Sequence, residues 1–310
     1  MTTPAFHDPR LTEQRNPRTE RIDVASSLEV VDLLNAEDAT VPAAVARVRE
    51  ALARAIDLVV GAFTAGGRLI YVGAGTSGRL GVLDATECPP TFGTSPEMVV
   101  GIIAGGYPAL VKSVEGAEDD VNAGMAAIDT AKVGLGDVVV GIAASGTTPY
   151  VRAALSRAQT IGAKTVLVSC TAPPKLLADT CDVVIVTEVG PEALTGSTRL
   201  KAGTATKLVL NTITTGAMVR MGRAYGNLMV DLMAWSEKLE DRGERIVMEI
   251  CGVDRDGARA AIAAADGSVK LAIVMVKAGV DRGEAVRRLA AAGGLVRRVV
   301  GDPPPVRPPR

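Results

Sequence analysis

The spacing of apolar positions changes character several times along the chain. Residues 1–22 show no apolar periodicity, are rich in charge and carry Pro4, Pro9 and Pro17, which predicts a flexible arm. Helical periodicity then runs through Ser27–Asn35 and more strongly through Val41–Thr64. From Arg68 onward short β-rich apolar runs alternate with helical segments. These runs are RLIYV (68–72), MVVGIIA (98–104), DVVVGIAA (137–144), KTVLVSC (164–170) and DVVIVTEV (182–189). Continuous apolar runs suit strands covered on both faces, and strands alternating with helices predict βαβ units. The expected fold is α/β, a three-layer sandwich around a five-stranded parallel sheet. Right-handed crossovers would gather the strand-to-helix loops along one edge, where open α/β sheets bind ligands.

Helical patterns follow over about Ser197–Arg223 and Gly226–Lys238, and 241–300 holds only helical patterns. Within the latter, GVDRDGARAAIAAADG (252–267) resembles GVDRGEAVRRLAAAGG (279–294). Asp254 and Asp281 each read as an N-cap opening a short helix that glycine closes, rather than as a functional duplication. Met218, Met221, Met229, Met233 and Trp235 fall near helical spacing and read as core. The tail GDPPPVRPPR can build neither helix nor central strand and reads as disordered. The expected division is an arm (1–22), an α/β domain with N-terminal helices (23–240), a small all-helical module (241–300) and the Pro-rich tail (301–310).

Composition narrows the chemistry. Lys plus Arg is 34 and Asp plus Glu is 35 in 310 residues, with 3% aromatics. That balance argues against a nucleic-acid partner, which asks for a basic stripe and stacking rings. The single histidine, His7, lies in the arm, so a Ser-His-Asp triad or a multi-histidine metal site is not expected from one chain. Cys88, Cys170, Cys181 and Cys251 show no CxxC spacing and read as scattered thiols. The polar first 23 residues lack the apolar region of a signal peptide, and no apolar run approaches a membrane span. A soluble, cytoplasmic protein with no membrane partner is expected, whose acid–base chemistry uses carboxylates, lysines or hydroxyls.

Gly73-Ala-Gly75-Thr76-Ser77-Gly78 follows a strand and opens a helix, which fits GxGxxG in context. A dinucleotide site would place an acid at the end of the next strand, which instead ends Ile103-Ala104-Gly105-Gly106. Thr76 and Ser77 put hydroxyls where backbone N–H groups and the positive helix end already attract phosphate. A second loop, Ala144-Ser145-Gly146-Thr147-Thr148-Pro149, repeats the arrangement after another strand. Ser and Thr also cap helices for structural reasons alone. Two hydroxyl-rich loops on one sheet edge together describe a phosphomonoester site.

LIYVGAGTSGRLGVLDATECPPTFG (69–93), VVGIAASGTTPYV (139–151) and GPEALTGSTRLKAGTATK (190–207) resemble the N-acetylmuramic acid 6-phosphate etherases. These belong to the sugar isomerase (SIS) fold group, and the third segment resembles a signature shared with the vertebrate glucokinase regulatory protein. The resemblance implies a SIS-type fold and a lyase that needs no cofactor or metal. Such an enzyme removes D-lactate from C3 of N-acetylmuramic acid 6-phosphate, in recycling of peptidoglycan sugars. It implies an amino-sugar phosphate as the small-molecule partner and a homodimer with sites near the subunit interface. A non-catalytic sugar-phosphate sensor and an aldose–ketose isomerase are the alternatives on this fold. The sensor resembles two tandem SIS units where one is visible here, and DATECPP with EGAEDD favours the ether-cleaving branch.

The resemblance maps the family's two active-site glutamates onto Glu87 and Glu118. Pro89 and Pro90 predict that Glu87 ends the helix begun near Ser77, where the negative helix end disfavours a carboxylate and makes it the acid. Glu118 is expected at the start of the next helix, where the positive end favours a carboxylate base, with Glu115, Asp119 and Asp120 opposing. Without the resemblance both would read as solvated helix-end surface. Ten residues of unbroken helix from Ser77 to Glu87 span ~15 Å, too far for one hexose. Either the helix bends near Gly81, or Glu87 completes a site with the phosphate loops of another subunit. Glu192, Arg199 and Lys201 are secondary candidates, with Ser197-Thr198 read as the cap of the long helix and Lys201 as exposed on its first turn.

Overall fold

A computed structural model describes residues 10–232 and 237–306. The readings of His7, Met233 and Trp235, of the first nine residues and of the last four lie outside the described residues. Helices α1 (Ser27–Asp38), α2 (Val41–Arg47) and α3 (Arg49–Thr64) come first. The first carries a Ser26/Glu29 capping box, and the expected single helix over 41–64 is interrupted at Val48. The alternating region follows as β1 (Leu69–Gly73), α4 (Gly75–Phe92), β2 (Val99–Ile103), α5 (Pro108–Val111), α6 (Val121–Thr130), β3 (Val138–Ile142), α7 (Pro149–Ile161), β4 (Lys164–Ser169), α8 (Lys175–Thr180), β5 (Val183–Val186) and α9 (Lys201–Arg220).

All five strands are parallel, in the order β2–β1–β3–β4–β5. Strands β1 and β3 are buried at every position, as their unbroken apolar runs require. On one face Ile70, Val72, Val139 and Leu167 pack with Val151 and Leu155 of α7 and with Ile128 of α6. Tyr71 points to the other face, where its hydroxyl donates to Asp84 of α4 at 2.9 Å. Asn211 and Thr214 of α9 donate to the same carboxylate at 2.6 and 3.2 Å. Burial pushes the Asp84 carboxyl above its ordinary value, against the pull of these donors.

The arm departs from expectation. Its described residues fold into 3-10 turns at Leu11–Glu13, Pro17–Thr19 and Ile22–Val24, with Thr12, Asn16 and Thr19 buried. The Asn16 amide donates to Pro191 O at 3.1 Å and the Thr19 hydroxyl to Ala193 O at 2.8 Å. Polar composition predicted solvation, but a polar side chain can be buried when a backbone carbonyl receives its hydrogen bond. A charged cluster lies beneath this segment. Lys201 is completely buried and its Nζ donates to Glu37 Oε2 at 2.6 Å, while Arg18 Nη2 donates to the same oxygen at 2.8 Å.

The chain forms two compact units, the first running to Thr86 and again over Glu97–Thr214, the second holding Glu87–Pro96 and the residues from Thr215 onward. The division between the two units passes within α4 and again within α9. In the second unit, Gly226–Lys238 does not form the expected single helix. Strands β6 (Ala224–Tyr225) and β7 (Leu228–Met229) pair antiparallel across Gly226-Asn227, with Gly226 at φ +60°. A glycine with positive φ first in a two-residue turn is a hairpin signal that outweighs the apolar spacing. Met229 is therefore a strand residue, partly buried against the core of this unit, and Met218 is fully buried. Helices α10 (Glu237–Cys251), α11 (Arg255–Ala264), α12 (Val269–Ala278), α13 (Arg282–Ala291) and α14 (Val296–Val300) surround Val247, Ile273, Val274 and Leu289. Asp254 and Asp281 cap α11 and α13 through Gly257 N and Glu284 N. Residues 301–306 form no regular element, and Gly301 O accepts from the Tyr225 hydroxyl.

The buried cluster sets a stability prediction. The hydrogen bond from Arg18 chiefly, aided by Lys201, holds the Glu37 carboxyl down to about 2, below its ordinary value of 4.5. A depressed carboxyl binds its proton more tightly in the unfolded chain, so the stabilisation is complete above about pH 4.5 and is lost as pH falls toward 2. Lys201→Met, which leaves Glu37 paired with Arg18 alone, is expected to cost about 1–3 kcal/mol. Urea midpoints measured from pH 6 down to pH 2 check both, and Glu37→Gln should flatten the acid limb.

Candidate active site

Strand order places the site. With β2 on one side of β1 and β3 on the other, successive crossovers leave in opposite directions and open a crevice at the carboxyl ends of β1 and β3. Gly73 and Ile142 end these strands side by side in register, so the loops that follow are neighbours. A Cβ on Gly78 would lie 2.7 Å from Gly73 O, so only glycine lets the first turn of α4 sit directly on the end of β1.

A cavity of about 400 Å³ fills the crevice, lined by Gly75, Thr76 and Ser77 from one loop and by Ser145, Thr147 and Thr148 from the other. Gly146 lies between these lining residues without lining the cavity itself. Ser145 Oγ and Thr147 Oγ1 are 2.8 Å apart, and Ser145 Oγ accepts from Thr147 N at 3.3 Å. Thr148 stands at the N-cap of α7 but makes no side-chain cap bond, so its hydroxyl is not spent on capping. Hydroxyls and helix-start N–H groups thus converge on one space, a chemistry suited to a phosphate dianion.

Glu118 lines the same cavity, though not from the position expected. It is exposed in a separate 3-10 turn, Ala117–Asp119, and the cap of α6 is Asp120, which accepts from Ala123 N at 2.8 Å. The helix start thus engages Asp120, leaving Glu118 free of a cap role. Glu87 also departs from its reading. Helix α4 runs unbroken through Gly81, Pro89 and Pro90 to Phe92, with Gly93 N still donating to Pro89 O at 2.9 Å. Glu87 is therefore an exposed mid-helix residue, not a helix end, and belongs to the second compact unit. The prolines forfeit two helical donors without terminating the helix.

Two of the three secondary candidates, Glu192 and Lys201, are buried in hydrogen-bond networks of the fold. The Glu192 carboxylate is fully buried and accepts from Lys201 N and Ala202 N at 3.0 and 2.9 Å, so it, rather than Ser197 or Thr198, satisfies the start of α9. Burial pushes its carboxyl up while those amides draw it down. Lys201, read as exposed, is sealed against Glu37 because its long side chain turns inward. Arg199 is exposed and does not line the cavity. Conversely, Arg10, Glu13, Asp119, Gly196 and Thr198 line it, although none was expected to bind the ligand: Thr198 was read as a cap and Asp119 as a charge beside Glu118. Only Thr198, a hydroxyl two residues after Gly196, carried any local signal. Among the described residues no group of three or more His, Cys, Asp or Glu could hold a metal ion. Burial pushes the Cys170 thiol up to about 11, far from a reactive thiolate. No helix among the described residues is long and apolar enough to cross a membrane.

Residues 51–159, spanning β1 to α7, match the family model of the glucokinase regulatory protein N-terminal SIS domain, and the fold is of the SIS type. Over 266 residues the chain is 54% identical to the N-acetylmuramic acid 6-phosphate etherase of Pectobacterium atrosepticum, covering 86% of this chain and 88% of that one. The etherase of Brucella anthropi is 54% identical over 270 residues, covering 86% and 87%. That of Gloeobacter violaceus is 54% identical over 265 residues, covering 86% of each. Identity at this level over most of both chains, with the sheet edge and its loops inside the matched span, leaves one conclusion: the chain belongs to the N-acetylmuramic acid 6-phosphate etherase family.

Proposed function

We propose that this protein cleaves the lactyl ether of N-acetylmuramic acid 6-phosphate, yielding N-acetylglucosamine 6-phosphate and D-lactate. The observation that carries the reading is the 54% identity over 266 residues with an etherase so named. The hydroxyl-lined cavity, with Glu13, Glu118 and Asp119 also in its lining, supports it. An unactivated ether resists direct hydrolysis. In the open-chain sugar, C2 lies beside the C1 aldehyde, so its proton can be removed; lactate then leaves from C3, and water adds back to the conjugated product. The sequence is redox-neutral, needing one base and one acid.

In this mechanism Ser77, Ser145, Thr147 and Thr148 hold the phosphate and fix the sugar relative to Glu118. Glu118 takes the C2 proton, and Glu87 protonates the oxygen that leaves C3. The unbroken α4 sets Glu87 ~15 Å along the helix from Ser77. That length supports a homodimer in which Glu87 of one copy serves the phosphate loops of the other.

Two measurements test this. Ser77→Ala and Ser145→Ala should each weaken binding of a hexose 6-phosphate by about 1–3 kcal/mol with thermal stability little changed; undiminished affinity in both would make the two serines purely structural. Glu118→Gln should lose both D-lactate release and solvent-deuterium exchange at C2. Glu87→Gln should lose lactate release while C2 exchange persists, each loss being on the order of 10²–10⁴-fold. Exchange that survives without Glu118 and vanishes without Glu87 would reverse the roles, and full activity in both variants would reject the pair.

A further inference from the structure

Beside the main cavity lies a smaller recess of about 150 Å³, and the two share Ala74, Gly75 and Glu118. Its one basic lining residue is Arg79, in the second turn of α4. Arg79 is half-buried; its Nε donates to Leu110 O at 3.1 Å and its Nη2 to Lys112 O at 3.4 Å. Both acceptors are neutral carbonyls, and among the described residues no ion pair joins Arg79 to a carboxylate. A guanidinium carries about five donors in a rigid fork. Two carbonyls therefore fix its orientation while part of the fork stays open, with its charge unneutralised.

The substrate proposed above brings two anions of different shape. Hydroxyls and helix-start amides suit the phosphate on C6, whereas a planar carboxylate is matched by a guanidinium. Glu118 stands where the two spaces meet. A sugar with its phosphate on the hydroxyl loops and C2 at Glu118 directs its C3 substituent toward the recess. The volume fits: a water occupies about 30 Å³, so the recess accommodates the roughly five non-hydrogen atoms that the lactyl group adds beyond the ether oxygen. Glu115 and Glu118 also line the recess and would repel a carboxylate that met no cation there. Arg10, the other basic residue near the site, lines only the larger cavity.

We infer that Arg79 receives the lactyl carboxylate, so that this recess distinguishes the ether substrate from sugar phosphates lacking the group. The inference rests on the etherase reading. Arg79→Met should lower kcat/KM for N-acetylmuramic acid 6-phosphate roughly 10–100-fold while affinity for N-acetylglucosamine 6-phosphate, which has no lactyl group, stays within about twofold. Arg79→Lys, keeping the charge without the fork, should fall between. Equal loss of affinity for both sugars would mean that Arg79 only braces the 110–112 loop and would overturn the assignment, as would no loss for either. If Arg79→Met does not fold, the wild-type protein supplies the test with the methyl ester of the lactyl carboxyl, expected to react roughly 10–100-fold less well than the free acid. Equal rates on ester and acid, or loss of that preference in Arg10→Met, would overturn the assignment. Wild-type protein that releases no D-lactate would overturn the etherase reading and this one with it; lactate release with discrimination intact in Arg79→Met removes Arg79 alone.

Discussion

Parallel strands cannot be joined by tight turns, so each of the five strands must be reached by a crossover over a sheet face. Because β2 and β3 flank β1, the first crossovers part to opposite sides and leave their helix starts facing one another across a gap. Everything that follows uses that gap. The backbone amides at the start of α4, the Ser145–Thr148 loop and the turn carrying Glu118 all border it because the winding reverses there. Gly73 and Gly78 allow the closest approach, where a side chain would collide with backbone.

The second determinant is how polar groups are buried. Asp84 accepts from a strand residue and from two residues of α9, tying sheet and helix through one carboxylate. Glu192 closes the start of α9 with both carboxylate oxygens, and Lys201 and Arg18 converge on Glu37. An unpaired charge at any of these places would be costly, whereas the paired set makes the arrangement specific. The same network secures the 3-10 segment whose first residues, Arg10 and Glu13, line the cavity. Stability and site shape are thus coupled through Glu37, a residue that touches no proposed ligand.

The chemical division of labour in the cavity follows from its lining. Hydroxyls and helix-start amides on two loops can donate to a phosphate without a lysine, and Glu118 borders the same cavity. Arg79 lies in the neighbouring recess and is tethered by carbonyls, whereas Arg10 lines the larger cavity itself.

The sequence alone determined the five parallel strands, the loop positions and the hydroxyl pattern, because unbroken apolar runs and glycine-rich turns are local signals of β-structure and helix starts. Asp254 and Asp281 were legible as caps for the same reason, since the bond spans three residues. Tertiary structure alone decided the rest. Lys201 was read as exposed and is buried, because the acid it meets, Glu37, lies 164 residues away in sequence. The arm was read as flexible, yet its described residues are packed, because the partners of Asn16 and Thr19 are carbonyls near residue 191 that no periodicity announces. Glu87 was assigned to a helix end that Pro89 and Pro90 do not create, since a helix continuing beyond them can absorb two missing donors. The recess at Arg79 was invisible for a related reason. Its walls come from residues 74–79 and 104–118, and only the folded sheet edge brings them around one guanidinium.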